Sequence, residues 1–543
     1  MQHFPELFET LLRQRGIVLE EKEDFLNPDY DKLCDPLLLP DMLEARDRVI
    51  KAIENNEHIV IFSDYDADGV PGAIVLSDFF KRIKYENISF YIPHRHNEGF
   101  GLNPEAIEEC AKRGAKLIIT IDCGIADIKE TALANELGMD VIITDHHKPG
   151  QTLPKAYAVV NPNREDSGYP FNGLCGSAVV FKLVQSILAK EPFGVKPGME
   201  KWSLDMVAIA TLSDMVPLVG ENRILARFGL EVLRKSPRPG LEALFRRLNL
   251  NQKNITEDDV VFMITPRINA ASRMGVPEDA FNLLRTTDLG EAEKLTLHLE
   301  KINNERKGVV ASIVKEAKSH LSDRQQVADV IVVGNPDWRP ALLGLVANSL
   351  VEEYRRPVFV WGRDGGGVLK GSCRSYNGYD LFALMSAASD SFIEFGGHMG
   401  AGGFSVTLVN LTTLEERLSL ALSHLEAQPP SDGILPLHIN LGDIGENLWE
   451  TVSQFAPFGM GNQKPIFKIP KAEIKSVKKF GKENNHLEIM FNGGVKAIAF
   501  FSDPASYSVL LTPGTRISLL ANLEKSFFRN RPELRLRIVD MES

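Results

Sequence analysis

Cysteine is scarce in this chain, which has five cysteines among 543 residues and no Cys-x-x-Cys pair. A disulfide framework or a zinc ribbon is therefore not expected, and a reducing cytoplasm fits best. Apolar runs as long as the ~20 residues of a membrane helix are also lacking. The first residues show no basic stretch followed by an apolar core, so no signal peptide is expected. The expectation is a soluble, cytoplasmic protein with no membrane partner.

An excess of positive charge is also missing. Lysine and arginine number 61 against 73 aspartates and glutamates, which gives a net charge of −12. This balance argues against adhesion to polyanions over the whole surface, but it leaves room for a local basic groove. The composition is otherwise ordinary for a globular protein, and the length predicts about three to four domains.

Short β-branched runs alternate with stretches of helical periodicity in the first third of the chain. Strands are predicted at 59–62, 88–92, 117–121 and 141–144, and helices at 72–81, from Pro104 onward and at 128–137. Strands and helices that alternate at this length are typical of a doubly wound parallel sheet, so the fold class is predicted to be α/β.

The rest of the chain predicts four further regions and a linker. Short helices fill 1–50 and helices dominate 177–318, with one long connecting helix from about 289 to 321. A second, smaller α/β lobe follows at 330–424, and a Pro- and Gly-containing linker lies at 428–433. The short β-rich segments after it predict a small barrel or sandwich.

Acidic residues and histidines gather where the predicted strands end. Asp145, His146 and His147 follow the fourth strand, and Asp122 follows the third. The carboxyl ends of strands in an open parallel sheet are where ligands bind. A single such residue is more often a turn or cap residue, so the argument depends on their number.

Two further acidic sites strengthen it. Asp64, Asp66 and Asp68 alternate directly after the first strand, where they would repel one another unless a cation held them. An EF-hand is poorly supported, because its twelfth loop position would be Val75. Asp214 lies in an otherwise apolar stretch, and buried carboxylates are rare unless paired or bound to metal.

Together these sites supply six carboxylates and two imidazoles but no thiolate. Such a ligand set favours Mn²⁺ or Mg²⁺ over zinc. Two ions about 3.5–4 Å apart would activate a water and stabilise the leaving oxygen of a phosphoryl group. The interpretation from the residues alone is a di-metal phosphoesterase.

The same residues form motifs that resemble those of the DHH phosphoesterase superfamily, and within it the RecJ single-strand-specific exonucleases. The four acidic sites resemble its motifs I to IV in order, and Gly396-Gly-His-Met-Gly-Ala-Gly-Gly403 resembles the glycine-rich signature of its second lobe. The similarity continues through 94–102, 266–270, 371–375 and 458–462. It implies a DHH domain at 51–288, a connecting helix at 289–325, a DHH-associated domain at 326–427 and an OB-like nucleic-acid-binding domain at 428–543.

The resemblance also implies a role for each residue. The metal ligands would be Asp66, Asp68, Asp122, Asp145, His146 and Asp214. His147 would face the scissile phosphate, and Asp64 would be a ligand or would orient one. The residues that would bind the strand or its terminal phosphate are Arg95, Arg267, Ser372, Arg374, Ser375, Gly397 and His398. A structural histidine, a solvated arginine and a tight glycine turn are the alternatives for such residues.

Basic and aromatic residues are interleaved in the C-terminal region, as suits single-strand binding by phosphate contacts and base stacking. The alternative is a solvated basic face. The residues are Lys475, Lys478, Lys479, Phe480, Lys482, Lys525, Phe527, Phe528, Arg529, Arg531, Arg535 and Arg537.

The resemblance implies an Mn²⁺- or Mg²⁺-dependent exonuclease that degrades single-stranded DNA from 5′ to 3′ into mononucleotides during recombination and repair. Single-strand-binding protein and a helicase are possible partners. One alternative is a DHH phosphodiesterase for short oligonucleotides or cyclic dinucleotides, although such a substrate needs no extra strand-binding domain. The other is a non-catalytic single-strand-binding scaffold, which loss of the metal ligands would indicate.

Overall fold

The computed structural model describes residues 4–427, 435–481, 484–502, 504, 507, 509–527 and 532–542. The predicted linker at 428–433 lies wholly outside these residues, and so do Lys482, Phe528, Arg529 and Arg531 from the basic set. Among the described residues, no helix is both long enough and apolar enough to cross a membrane.

A five-stranded parallel sheet organises the first lobe, in the order β2-β1-β3-β4-β5. Its strands are β1 (Ile59–Ser63), β2 (Ile88–Tyr91), β3 (Leu117–Ile121), β4 (Asp140–Thr144) and β5 (Ala158–Val160). The predicted doubly wound sheet is confirmed, with β5 as an additional edge strand. The strand order reverses between β1 and β3, so the crevice at their carboxyl ends is the expected ligand site.

Helices cover both faces of this sheet, as parallel strands require. In β1, Ile59 and Ile61 face one apolar core while Val60 and Phe62 face the other. The N-terminal segment contributes α1 (Pro5–Gln14) and α2 (Lys22–Leu26). The helices of the first lobe are α3 (Met42–Glu54), α4 (Gly69–Arg82), α5 (Pro104–Lys112), α6 (Ile128–Glu136), α7 (Gly176–Lys190), α8 (Leu204–Ser213), α9 (Gly220–Leu233), α10 (Pro239–Leu248), α11 (Glu257–Asp259), α12 (Thr265–Met274) and α13 (Pro277–Arg285).

A long helix leads to the second lobe. It is α14 (Leu289–Ser322), 34 residues long, and it matches the predicted connecting helix. The second lobe is a five-stranded mixed sheet in the order β6-β7-β8-β10-β9 with three helices. Its elements are β6 (Ile331–Gly334), α15 (Pro340–Tyr354), β7 (Val358–Arg363), β8 (Leu369–Arg374), α16 (Leu381–Ala387), β9 (Glu394–His398), β10 (Ala401–Val406) and α17 (Leu408–Leu422).

The C-terminal region is a closed five-stranded barrel, as the short β-rich segments predicted. Closure comes from the pairing of β12 with β15. Its elements are β11 (Leu437–His438), α18 (Glu446–Ser453), β12 (Phe467–Phe480), β13 (His486–Phe491), β14 (Lys496–Ala499), β15 (Arg516–Ser526) and β16 (Glu533–Glu542). The N-terminal helix α1 packs into the barrel core through Phe8, Leu11 and Leu12.

Buried polar contacts fasten the barrel to the first lobe. The guanidinium of Arg223 on α9 donates hydrogen bonds to the carbonyls of Phe455 and Ala456, both at 3.0 Å, and to that of Phe25 at 2.7 Å. The backbone N–H of Phe458 donates to the carboxylate of Glu257 on α11. These bonds hold the start of the barrel region beside α9 and α11.

A fully buried ion pair ties the N-terminal segment to the first lobe. The Lys182 ammonium donates to Glu221 Oε1 at 2.6 Å and to the Cys34 carbonyl at 2.8 Å. Glu221 also accepts from the Tyr169 hydroxyl and the Cys34 N–H. Removing one partner of such a pair leaves a buried charge without compensation.

We therefore expect Lys182→Met to lower the free energy of unfolding by ~3–5 kcal/mol. Urea unfolding followed by circular dichroism measures this change. The control is Lys112→Met, which removes an exposed pair with Glu108 and should cost at most ~0.5 kcal/mol. Equal midpoints for the two variants would contradict the role of the buried pair.

Candidate metal centre

Three acidic residues lie at the carboxyl ends of neighbouring parallel strands. Asp64 follows β1, Asp122 follows β3 and Asp145 follows β4. All three side chains are buried, with exposed fractions of 3%, 3% and 0%. The doubly wound sheet therefore brings them together at its switch point, as predicted.

The loop after β1 adds two more carboxylates. Asp66 Oδ1 accepts hydrogen bonds from the backbone N–H groups of Asp68, at 2.7 Å, and Gly69. The Asp68 carboxylate accepts two hydrogen bonds of 2.7 Å from the N–H groups of Gly176 and Ser177, which begin α7. The free N–H groups at a helix N-terminus favour a carboxylate, so α7 fixes Asp68 in place.

His146 joins this group to Asp214, which follows the last residue of α8. The Nε2 atom of His146 lies 3.1 Å from Asp122 Oδ1, 3.6 Å from Asp214 Oδ2 and 3.8 Å from Asp68 Oδ2. One imidazole nitrogen thus faces three carboxylates that the sequence separates widely. Among the described residues, three groups place their ligand atoms within 4.8 Å of one another: Asp64, Asp66 and Asp122; Asp68, His146 and Asp214; and Asp122, His146 and His147.

Several of these atoms lack a hydrogen-bond partner anywhere in the described part of the chain. They are Asp64 Oδ1, Asp122 Oδ1 and His146 Nε2, all shielded from solvent. Burial raises the pKa of Asp64 and of Asp122 well above the usual range, and together with the charge of Asp68 it raises the pKa of Asp214 to about 8. Buried oxygens without partners are costly unless a cation binds them. The donor set, mostly oxygen with imidazole and no thiolate, fits Mn²⁺ or Mg²⁺.

Asp145, whose role as a metal ligand stays a prediction, is hydrogen-bonded through both of its carboxylate oxygens. Its Oδ1 accepts hydrogen bonds from the N–H groups of His146 and His147 and from His147 Nδ1, and its Oδ2 accepts from the Ile125 N–H. Both oxygens are thus occupied, and Asp145 is in none of the three groups. Burial alone would lower the pKa of His147, but the hydrogen bond to Asp145 raises it to about 9. In this geometry the Asp145 carboxylate fixes the orientation of the His147 ring and favours its protonated form.

Asp122 occupies a strained position. Its φ of 59° lies in the left-handed region, which is unfavourable for a residue with a side chain. Gly176 makes room for it, because a Cβ on Gly176 would lie 2.6 Å from Asp122 Cβ. Strained backbone of this kind is typical of functional sites.

His147 borders an open cleft with aromatic and basic neighbours. Its side chain is 47% exposed, and the ring of Phe100 stands edge-on to it at 5.6 Å. The Arg95 guanidinium lies 4.9 Å above the ring of Tyr65, next to Asp64. The structure therefore places Arg95 beside the metal centre, together with Phe100, which sequence reasoning passed over.

Two arginines that sequence reasoning missed lie between the lobes. Arg273, at the end of α12, donates to the Ala341 carbonyl of the second lobe at 3.3 Å. Burial, with the charges of Arg95 and Arg306, lowers the pKa of Arg273 to about 9. Neither Arg273 Nε nor Arg306 Nε has a hydrogen-bond partner among the described residues. A buried donor of this kind calls for an anion.

The other predicted phosphate-binding residues separate into two groups. Arg267 is buried in an ion pair with Glu300 on α14 at 2.9 Å and donates to the Met263 carbonyl, so its guanidinium is already occupied. Arg374 lies at the end of β8 beside α15, where a Cβ on Gly344 would come within 2.8 Å of Arg374 Nη2. Arg374 is thus held at the edge of the cleft.

The glycine-rich signature is a hairpin of β9 and β10, and not the strand-to-helix turn considered as its alternative. Ala401 pairs with Arg374 on one side and His398 on the other, so these side chains share one face of the sheet. Ser372, opposite Gly403, lies on the same face, and the Ser375 N–H donates to the Gly400 carbonyl. Gly397 needs to be glycine, because a Cβ would lie 2.4 Å from the Ala401 carbonyl, but a Cβ on Gly396 or Gly400 would meet nothing. Part of this face carries no side chains, because Gly396 and Gly403 lie opposite each other on it. We call this part the glycine floor.

Part of the basic C-terminal set is neutralised. Lys525 donates to both oxygens of Glu446, and Arg535 pairs with Glu524. The Arg537 guanidinium instead lies 4.1 Å over the ring of Phe500. The described barrel residues therefore present an arginine stacked on an aromatic ring, together with the exposed lysines Lys475, Lys478 and Lys479 of β12.

Three protein-family models match the chain. The DHH family, N-terminal domain, matches residues 58–211, the DHHA1 domain matches 325–428, and the RecJ OB domain matches 436–540. The residues of the metal centre from Asp64 to His147 lie within the first of these matches, and Asp214 lies just beyond its end.

Curated relatives and solved structures match nearly the whole chain. The single-stranded-DNA-specific exonuclease RecJ of Bacillus subtilis is 34% identical over 99% of this chain and 68% of its own length, and that of Haemophilus influenzae is 29% identical over 94% and 92%. The crystal structure of RecJ with Mn²⁺ from Thermus thermophilus superimposes with a TM-score of 0.81, at 26% identity, over 99% of this chain and 76% of that one. A second RecJ structure bound to manganese gives a TM-score of 0.60, at 30% identity, over 72% and 96%. The chain belongs to the RecJ family of the DHH superfamily.

Proposed function

We propose that the protein is a metal-dependent exonuclease for single-stranded DNA that works from 5′ to 3′ and releases mononucleotides in recombination and repair. One observation carries the catalytic part: buried, unpartnered carboxylate and imidazole atoms converge where three parallel strands end. The curated relatives named above are single-stranded-DNA-specific exonucleases, and a solved relative contains Mn²⁺. Catalysis is assigned to 51–288 and strand binding to 326–427 and 428–543.

Two groups of donors would hold the metal ions. Asp64, Asp66 and Asp122 form one, and Asp68, His146 and Asp214 form the other. Asp122 Oδ1 lies 3.1 Å from His146 Nε2 and so adjoins both groups. Bound Mn²⁺ or Mg²⁺ supplies a deprotonated water at neutral pH and offsets the charge of the phosphate.

His147 acts on the phosphate from the protein side. Its hydrogen bond to Asp145 uses Nδ1 at 2.8 Å, which leaves Nε2 for the substrate. The exposed imidazole is therefore oriented to donate a hydrogen bond from Nε2 to a phosphate oxygen. Asp145 is a positioning residue, because it acts through His147.

The polarity rests on the arginines between the lobes. Arg273 and Arg306 keep donors without protein partners, and Arg374 reaches the same cleft from β8. A terminal phosphate carries more charge than an internal one and best satisfies several guanidinium groups. We assign this pocket to the 5′-phosphate, with the open glycine floor of β9 and β10 as the track for the adjacent backbone.

The cysteines bear on the cellular compartment in which the protein works. All five cysteines are free and four of them are buried, as suits a reducing compartment such as the cytoplasm. Single-strand-binding protein and a helicase stay predicted partners. The metal ligands are all present, which speaks against a non-catalytic scaffold.

The first test uses a long single strand labelled at its 5′ or its 3′ end. With Mn²⁺ we expect early release of the 5′ label as a mononucleotide, and none with EDTA or with duplex. Asp122→Asn, which removes charge shared by the two groups, should slow release at least ~100-fold. Early release of the 3′ label would overturn the 5′-to-3′ polarity. Binding of the strand without cleavage would favour the non-catalytic single-strand-binding scaffold. Cleavage of dinucleotides alone would favour the phosphodiesterase.

The second test concerns the room that Gly176 makes for Asp122. Gly176→Ala places a Cβ against Asp122 and should weaken Mn²⁺ binding ~10-fold or more, measured by isothermal titration calorimetry. Gly308→Ala is the matched control, because a Cβ there meets nothing. Equal Mn²⁺ affinity in both variants would contradict the packing argument.

The third test concerns the anion pocket. Arg273→Met should raise the KM for a 5′-phosphorylated strand ~10-fold or more and change that for a 5′-hydroxyl strand far less. Arg363→Met, on the exposed end of β7, is the charge-matched control. A uniform rise in KM for both strands would show that Arg273 does not read the terminal phosphate.

A further inference from the structure

Three large apolar side chains are exposed around the metal centre on the side of the C-terminal barrel. Met215 is 60% exposed, Phe262 is 68% exposed and Met460 is 46% exposed. Each lies on a different segment, and hydrogen bonds fasten those segments to one another. Scattered exposed apolar residues need no explanation, but a group of them beside one site does.

Met215 directly follows Asp214 of the metal centre. Its φ of 58° lies in the left-handed region, where a methionine is rarely found. Three residues later, the N–H of Leu218 donates to the carbonyl of Met460 at 2.8 Å. The loop that carries Met460 therefore lies against the segment that leaves the metal centre.

Phe262 lies on a π-helical turn (Val260–Ile264) between α11 and α12. The Thr265 hydroxyl closes this turn by donating to the Val260 carbonyl, and it is 2.5 Å from the hydroxyl of Ser213, the residue before Asp214. Turns of this kind are rare and are frequent at functional sites. Phe262 is thus presented to solvent from a turn anchored one residue from a metal ligand.

The apolar surface leads toward the barrel. Asp258, on α11 beside the π-turn, forms an ion pair with Lys464. Burial lowers the pKa of Arg537 on the barrel, and the negative charge of Asp258 acts in the opposite direction. Arg537 is the arginine stacked on Phe500, and its neighbour Phe501 is 80% exposed. The π-turn that carries Phe262 therefore lies beside the start of the barrel.

We propose that Met215, Phe262 and Met460 form an apolar strip that contacts the unpaired bases of the strand between the metal centre and the barrel. This inference rests on the proposed function and adds the residues that select single strands. Phosphate contacts form with single and double strands alike, whereas apolar contacts to base faces need bases free of a partner strand. The occupant is the substrate strand because the strip begins at the residue after Asp214.

The test compares Phe262→Ala/Met460→Ala with the control Leu408→Ala/Val409→Ala, which removes two exposed side chains from α17 of the second lobe. Binding of a 5′-phosphorylated single strand with a cleavage-resistant phosphorothioate backbone is measured in the presence of Mn²⁺ by fluorescence anisotropy. The strip variant should bind about 10-fold more weakly or worse, with an unchanged slope of log Kd against log salt, because no phosphate contact is lost. The control should bind like the unaltered protein.

A strand with abasic sites throughout supplies the decisive comparison. The unaltered protein and the strip variant should bind the abasic strand with equal affinity, because the bases that the strip contacts are gone. Equal affinity of the strip variant and the unaltered protein for the normal strand overturns the proposal. It is also overturned if the strip substitutions weaken binding of the abasic strand as much as they weaken binding of the normal strand. Cleavage of the labelled strand by the unaltered protein tests the proposed function separately. If the unaltered protein cleaves the strand but the binding results contradict the strip, only the strip is overturned. If the unaltered protein does not cleave the strand, the proposed function itself fails.

Discussion

The structure depends on one electrostatic constraint, which is that buried carboxylates converge on a small volume without enough hydrogen-bond donors to satisfy them. Asp64 and Asp122 each keep an oxygen without a partner among the described residues. The charge of such a cluster must be offset, either by bound cations or by protons on the carboxylates. The strand order, the α7 N-terminus that holds Asp68 and the left-handed Asp122 all serve to bring these oxygens together.

The remaining parts of the molecule surround this centre with groups that complement a nucleic-acid strand. Arginines with free donors lie between the lobes, a glycine floor lies on the second sheet, and aromatic groups lie toward the barrel. The hydrogen bonds of Arg223 to the barrel carbonyls keep the last of these in a fixed place. Charge, open backbone and apolar surface therefore follow one another around a single cleft.

Much of this could be predicted from the sequence because the parallel sheet places strand ends together whatever the details. The acidic sites follow strands, so their convergence followed from periodicity alone. The direction of a carboxylate does not follow from periodicity, and Asp145 accordingly turned toward His147 and the backbone. Arg267 was misleading for a similar reason, since its partner Glu300 lies on α14, far along the chain. The sequence predicts β-rich segments at 487–491, 495–500, 516–520 and 534–539 but not the long strand β12, because irregularities in its pairing interrupt the alternation of apolar residues.

The ligands of the centre come from segments that stretch from the end of β1 to the end of α8, and this distribution has a consequence for synthesis in the cell. A ribosome that adds about 5–20 residues per second needs several seconds to about half a minute to make that stretch. Until α8 has emerged and packed, Asp214 is absent and the donor groups are incomplete. A nascent or truncated chain therefore lacks the assembled centre, and nucleic acids near the ribosome are not exposed to it before folding is well advanced.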